Sequence, residues 1–347
     1  MARHLITGGS GFVGSHTAEH LLSEGEEVVV YDVAAPDVPG TDLRQRVEYI
    51  DGDVRDRSRL AEAMSDIDYV HHNVALVPLT KAGDEFREVN VTGTRNVMAA
   101  ALEAGVDGVS HVSSSAVYDL SRMPVTEESP LDPIGAYGQS KLDGDRVVKR
   151  YADEGLPVNI IRPRTVLDER RAGIYQILFD WLERDARIYM LGDGTNEFQL
   201  VSGRDIAAAS RLAATADISG EVFNIGNDDY NTLGEDLRHL VEYADSDSRI
   251  TWVPARPVSL TLQVLDYLRL SPLAPWHYKT VYKDYYFDTT KAREILGWEP
   301  TDSNFDVFER AYDWYANHDV ASSDNHGSIH QTAPPQKILG LLRKVSK

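Results

Sequence analysis

The chain contains no cysteine, which removes disulfides, thiolate metal sites and a cysteine nucleophile from consideration. No stretch approaches the ~18 apolar residues of a membrane span. The amino terminus enters a strand pattern at once, without the charged and apolar regions of a signal peptide, so a soluble, cytoplasmic protein is expected. Positive charge is also scarce: 35 Lys and Arg stand against 55 Asp and Glu, a formal net charge of −20. Nucleic-acid phosphates need a basic footprint, so no nucleic-acid partner is expected. Asp outnumbers Glu and Arg outnumbers Lys, a balance best tolerated where salt screens self-repulsion, and a halophilic cytoplasm is the expected setting. His16 and His20 sit one helical turn apart but lack a third ligand, so they are read as helix packing or surface residues and no metal is expected.

What is present begins with Leu5-Ile6-Thr7-Gly8-Gly9-Ser10-Gly11-Phe12-Val13-Gly14. A strand running into Gly8, Gly11 and Gly14 and then a helix offers main-chain N–H groups and the positive end of a helix dipole to a pyrophosphate, with Phe12 and Val13 in the same turn. Glu27-Val28-Val29-Val30-Tyr31-Asp32 reads as a buried parallel strand ending in an acid, at about the 20-residue offset of the carboxylate that holds an adenosine ribose. Asp32 there favours NAD over NADP, because it accepts from both ribose hydroxyls and repels a 2′-phosphate. A third strand runs into Asp53 and Val54, placed to meet the adenine amine and ring. Downstream, Tyr137 and Lys141 lie one turn apart on one helix face. A nearby ammonium stabilises phenolate and lowers the tyrosine pKa from its reference near 10, the requirement for a tyrosine base.

Alternating apolar strands and amphipathic helices fill residues 3 to about 163, as a doubly wound parallel α/β sheet requires. Strands are expected near 3–7, 27–31, 47–50, 69–72, 109–113 and 158–162, with long helices over 84–104 and 135–154. The expected division is a dinucleotide-binding Rossmann domain over 1–165 and a smaller mixed substrate lobe over 166–318, with parts near 205–226 returning to the first. In that lobe 171–185 and 231–245 read as helices, 188–190 and 198–201 as short strands, and Pro254, Pro257, Pro272 and Pro275 as chain breaks. Residues 319–347 read as a flexible tail. Its basic amphipathic end, 337–347, is suited to an anionic membrane surface or to an acidic face of the protein itself.

TGGSGFVG, Asp32, GDVRD at 52–56, VNVTGTRNV at 89–97, VSSSAVY at 112–118, YGQSK at 137–141, IIRP at 160–163 and FDTTKAREILGWEP at 287–300 together resemble the extended short-chain dehydrogenase/reductases, the superfamily of nucleotide-sugar epimerases and dehydratases. The similarity covers roughly residues 3 to 318. It implies NAD as cofactor, a homodimer, and a catalytic set of Ser114, Tyr137 and Lys141, with Lys141 also holding the nicotinamide ribose. Ser115 is the alternative to Ser114 and a substrate contact. The resemblance further implies that Ala75 lies beneath the cofactor, that Asn90 braces the site through main-chain bonds and that Pro163 passes the nicotinamide. Where dehydratases carry an Asp-Glu pair this chain has Ser115 and Ala116, so dehydration is not expected. Thr165 and Glu197 replace an Asn and an Arg that contact substrate phosphate in many relatives; Arg164, Arg170, Arg171 and Arg204 are the candidates to supply that charge.

The leading expectation is a nucleotide-sugar epimerase-like enzyme that oxidises a sugar hydroxyl and then returns the hydride to the opposite face. The alternatives are an NAD-dependent dehydrogenase of a sugar, a sterol-like or another secondary alcohol, and a catalytically silent NAD-sensing scaffold.

Overall fold

The computed structural model describes residues 1–77, 84–170, 173–267 and 275–318. Arg171 and the whole 319–347 segment, including the basic end at 337–347, lie outside the described residues.

Six strands, β1 (Arg3–Thr7), β2 (Glu27–Asp32), β3 (Glu48–Asp51), β4 (Tyr69–His72), β5 (Gly108–Val112) and β6 (Val158–Pro163), join the strand Val222–Ile225 in one sheet. Its order is Val222–Ile225, β6, β5, β4, β1, β2, β3, and every neighbouring pair is parallel. Both faces are covered by helices, which explains why β2 and β5 read as near-continuous buried runs rather than alternating ones. On one side Leu60, Val97, Met98 and Val148 pack against Leu5, Val70 and Val109. On the other, the helix Phe12–Ser23 lies against Gly203–Thr215, and a Cβ on Gly203 would press into the His16 ring at 2.3 Å. His16 is therefore a packing residue, and among the described residues there is no group of potential metal ligands.

The chain order reverses between β1 and β4, so the carboxyl ends of these strands open onto the crevice where α/β sheets receive ligands. Beyond β6 a second core forms around Phe179, Leu200, Leu237 and Phe308. Its helices Leu233–Tyr243 and Asn304–Asn317 each begin with a capping box, Thr232 with Glu235 and Ser303 with Asp306.

Several local readings differ from the structure. The long helix over 84–104 contains a π-helical stretch, Glu88–Gly93, before Thr94–Ala104. The helix over 171–185 shortens to Gln176–Leu182 after a 3₁₀ turn at Gly173–Tyr175. The strand over 198–201 is two, Glu197–Phe198 and Leu200–Val201, pairing with different partners. Gln199 separates them, its side chain bonded to the Asn227 oxygen and the Phe287 N–H. Pro257 does not break the chain: it occupies the first turn of the helix Ala255–Tyr267, where a missing N–H costs no intrahelical bond.

Candidate active site

β1 ends at Thr7 and the chain turns through Gly8, whose φ of +77° suits glycine. A Cβ on Gly14 would stand 2.0 Å from the Gly8 oxygen, so the following helix can start hard against the turn only because that side chain is missing. Gly11 is the N-cap of this helix and no side chain bonds there, which leaves the helix start to its main-chain N–H groups and dipole. Beside the turn, Asp32 Oδ2 accepts from the Ser10 N–H at 3.1 Å and Oδ1 from the Ala34 N–H at 3.3 Å. Burial pushes its carboxyl above the ordinary carboxylate range, against the pull of these N–H groups.

Gly8, Gly11, Phe12, Val13 and Gly14 line one end of a cavity of about 570 Å³, and Ser113, Ser114, Ser115, Tyr137 and Lys141 line the same cavity. Tyr137 and Lys141 stand on the helix Gly135–Asp153. Lys141 is 2% exposed and its Nζ donates to the Val112 oxygen at 2.7 Å. Burial lowers its pKa to about 8, with Asp145 opposing, so the group is mainly an ammonium at neutral pH. Ser114 Oγ accepts from the Ala116 N–H at 3.1 Å and caps the turn Ser115–Val117. As the acceptor in that bond, the hydroxyl retains its own proton for donation. Ser113 belongs to the sheet, its N–H bonded to the Ile161 oxygen.

Asn90 sits inside the π-helical stretch. Its Oδ1 accepts from the Leu76 N–H at 2.8 Å, and its Nδ2 donates to the Leu76 oxygen at 3.1 Å and to Ser140 Oγ at 3.0 Å. Ser140 Oγ in turn donates to the Tyr137 oxygen at 2.8 Å. One amide thus ties the segment carrying Ala75 to the helix carrying Tyr137. Ala75 and Pro163 are in the cavity wall, whereas Asp32, Asp53, Val54 and Asn90 are not. Asp53 is gripped by Arg55, Nη2 to Oδ2 at 2.6 Å, which holds its carboxyl below the usual range. Val54 is buried.

The arginines separate clearly. Arg164 and Thr165 are in the wall, and Arg164 is buried, donating from Nε to the Tyr285 oxygen at 2.7 Å and from Nη1 to Thr165 Oγ1. Arg204 is outside the wall and bonded to Glu169 at 3.0 Å. Arg170 is turned to Glu19 at 2.7 Å. Glu197 is exposed.

Sequence reasoning did not find the far wall, where Leu178, Trp181, Met190, Phe198 and Leu237 of the second core and Leu262 of the helix Ala255–Tyr267 all face the cavity. The spacing of Ile174, Ile177, Leu178 and Trp181 was legible as one apolar helix face, but nothing local distinguishes a cavity wall from a packed core. Tyr285 was missed as well. Its hydroxyl donates to the Ser115 oxygen at 2.5 Å and its ring lies under Arg164, 3.6 Å from centroid to Cζ, so it joins the serine turn to the second core.

No helix of the described residues is long and apolar enough to cross a membrane. The chain is 38% identical over 341 residues to the uncharacterized protein y4nG of Sinorhizobium fredii, covering 97% of this chain and 85% of that one. It is 28% identical to the UDP-glucose 4-epimerase of Lactobacillus helveticus, over 92% of this chain and 99% of the relative. It is equally 28% identical to sterol demethylase protein B of Methylococcus capsulatus, over 90% and 97%. The NAD dependent epimerase/dehydratase family matches residues 4–226. That match runs from β1 to the strand Val222–Ile225 and takes in the glycine turn, the serine turn and the tyrosine helix: the chain belongs to the NAD dependent epimerase/dehydratase family, enzymes of the extended short-chain dehydrogenase/reductase type, and its cofactor is NAD.

Proposed function

We propose that the protein oxidises a secondary alcohol to a ketone, and reduces it in reverse, with Tyr137 as the acid–base group. The observation that carries this reading is the meeting of Tyr137, Lys141 and Ser114 with the glycine turn around one cavity. The chain fits the cofactor: the turn is kept clear of side chains at Gly14, where a Cβ would strike the Gly8 oxygen, and the uncapped helix start with Asp32 nearby suits a pyrophosphate and a ribose. Gly8, Gly11, Phe12, Val13 and Gly14 would hold the pyrophosphate, and Asp32 the adenosine ribose. NAD, when bound, supplies the hydride acceptor.

Tyr137 takes the proton of the substrate hydroxyl as the carbon is oxidised. The Lys141 ammonium, one turn away, makes that possible by stabilising phenolate. Ser114 donates to the substrate oxygen and holds it against Tyr137. Asn90 acts as a positioning residue through Leu76 and Ser140.

A second reading, epimerisation of a nucleotide sugar, shares this first half-reaction and is supported by the similarity to UDP-glucose 4-epimerase. Substrate deuterated at the reacting carbon separates the two. Stoichiometric transfer of deuterium into released NADH supports net oxidation; return of the deuterium to product without NADH accumulation supports epimerisation. Absence of both outcomes with wild-type protein, across alcohols and nucleotide sugars, removes the hydride-transfer reading.

A further inference from the structure

We infer that the substrate is a bulky, uncharged and mainly hydrocarbon alcohol, ring-fused or isoprenoid in chemistry, held without a diphosphate handle. This inference rests on the hydride-transfer reading above and names the substrate class for that same site.

The cavity continues from Tyr137 into the second core, and its wall there comes from elements distant in sequence. Leu178 and Trp181 come from the helix Gln176–Leu182, Met190 from the strand Ile188–Leu191, Leu237 from the helix Leu233–Tyr243 and Leu262 from Ala255–Tyr267. One apolar residue in a substrate wall is ordinary. Apolar side chains arriving from four separate elements form a continuous surface that complements hydrocarbon and offers few partners to sugar hydroxyls or a uracil ring.

Charge points the same way. Among the described residues of the wall, Lys141 and Arg164 are the cations and there is no acid. Lys141 is engaged at the Tyr137 end by the Val112 oxygen. Arg164 is fixed by the Tyr285 oxygen and Thr165, with its plane over the Tyr285 ring and 5.2 Å from the Phe198 ring centroid. It is built as a structural clamp at the junction of the two cores, and burial lowers its pKa to about 10. Burying a diphosphate requires charge-assisted donors aimed at both phosphates, and Arg170 and Arg204 are turned instead to Glu19 and Glu169. The net charge of −20 adds long-range repulsion to any dianionic ligand. Tyr175, Tyr189 and Thr280 supply neutral polar groups to the wall, sufficient for a hydroxyl or keto group on an otherwise apolar skeleton.

The test is competition for the full-length, NAD-loaded protein between uncharged Nile red and two probes, 5α-androstan-3β-ol and UDP-glucose. The steroid should displace the dye at micromolar concentration, and UDP-glucose should fail to do so at millimolar concentration. Leu237→Gln should weaken dye and steroid at least tenfold with NAD affinity unchanged. Leu178→Gln, at a wall position slightly less buried than Leu237, should do the same if Leu237→Gln folds poorly. Displacement by UDP-glucose but not by the steroid, or dye binding indifferent to both variants, overturns the inference. Because binding is read without turnover, the two proposals fail separately. Steroid binding without any hydride transfer removes the reaction reading alone, and turnover of UDP-glucose removes the hydrocarbon substrate alone.

Discussion

Lys141 Nζ stands 2.7 Å from the main-chain oxygen of Val112, the last residue of β5. The bond anchors the helix that carries Tyr137 to the strand that leads into the serine turn, so one buried cation sets both the electrostatics and the alignment of the site. The ammonium is also the disfavoured form of a buried lysine, its pKa lowered to about 8 by desolvation from the ordinary value of 10.5. Between these two values the unfolded chain holds the proton that the folded chain has released, so this group makes stability rise with pH across that window. Below about pH 8 both states are charged and the penalty is constant, on the order of 3 kcal/mol.

Replacing Lys141 by Met removes the buried charge together with its bond to Val112. The melting-temperature difference between Lys141→Met and wild type is expected to be constant below about pH 8 and to move in favour of wild type from pH 8 towards 10, as the wild-type penalty disappears. Because Lys141 also acts on the Tyr137 hydroxyl, both proteins are compared in a Tyr137→Phe background, where thermal melts at matched pH isolate this residue across the window. A difference independent of pH over that window shows that Lys141 is not titrating as described.

Tyr137→Phe keeps the ring, which meets Phe86 edge-on at 6.2 Å, and removes only the hydroxyl. Folding and NAD affinity are expected to stay near wild type while turnover falls at least about a hundredfold, the lower range for a positioned acid–base group. Steady-state kinetics with any substrate that wild type accepts decide the matter, and turnover within a few-fold of wild type excludes Tyr137 from the chemistry.

Asp32→Ala removes an acceptor set by the Ser10 and Ala34 N–H groups. The expected outcome is weaker NAD binding together with relief of repulsion toward a 2′-phosphate, so the ratio of NAD to NADP affinity falls at least about tenfold, the loss of roughly one charge-assisted bond. Calorimetric titration of both cofactors against both proteins measures that ratio; an unchanged ratio removes Asp32 from ribose recognition.

Asn90→Ala leaves the Leu76 N–H and the Leu76 oxygen without their side-chain partner, and a loss of about 1–3 kcal/mol of stability is expected for buried groups left unpaired. Ser140→Ala keeps both Asn90 bonds to Leu76 and removes only the relay to the Tyr137 oxygen. If Asn90 positions Tyr137 through Ser140, the Ser140→Ala variant keeps much of the stability and little of the kcat, with KM barely changed. Wild-type kcat in Ser140→Ala assigns Asn90 to the fold alone.

The sheet was legible in the sequence because parallel strands buried on both faces read as short apolar runs between turn residues, as Val28-Val29-Val30 does; β5, with Ser110 and His111 between its valines, was legible by its place in the alternation of strands and helices. The glycine turn and the Tyr137–Lys141 pair were legible because their relations lie within a turn or two of chain, where spacing alone determines geometry; Asp32 was legible because one strand–helix–strand unit returns the chain beside its own start, which fixes where the second strand ends. Asn90 was readable only as a brace, since its partners Leu76 and Ser140 are distant in the chain.

The assignment of arginines lay beyond the sequence. Arg164, Arg170 and Arg204 are equivalent candidates by position, and only the folded chain turns the first over the Tyr285 ring and the others to Glu19 and Glu169. The same holds for the cavity wall. Helical and strand periodicities declare which faces of Gln176–Leu182 and Leu233–Tyr243 are apolar, but an apolar face has no local property that says whether it will meet a neighbour or enclose a space. The sequence by itself therefore determined the sheet, the glycine turn and the Tyr137–Lys141 spacing through short-range geometry, whereas the shape and polarity of the cavity were decided by how distant elements pack, a long-range outcome that no local pattern encodes.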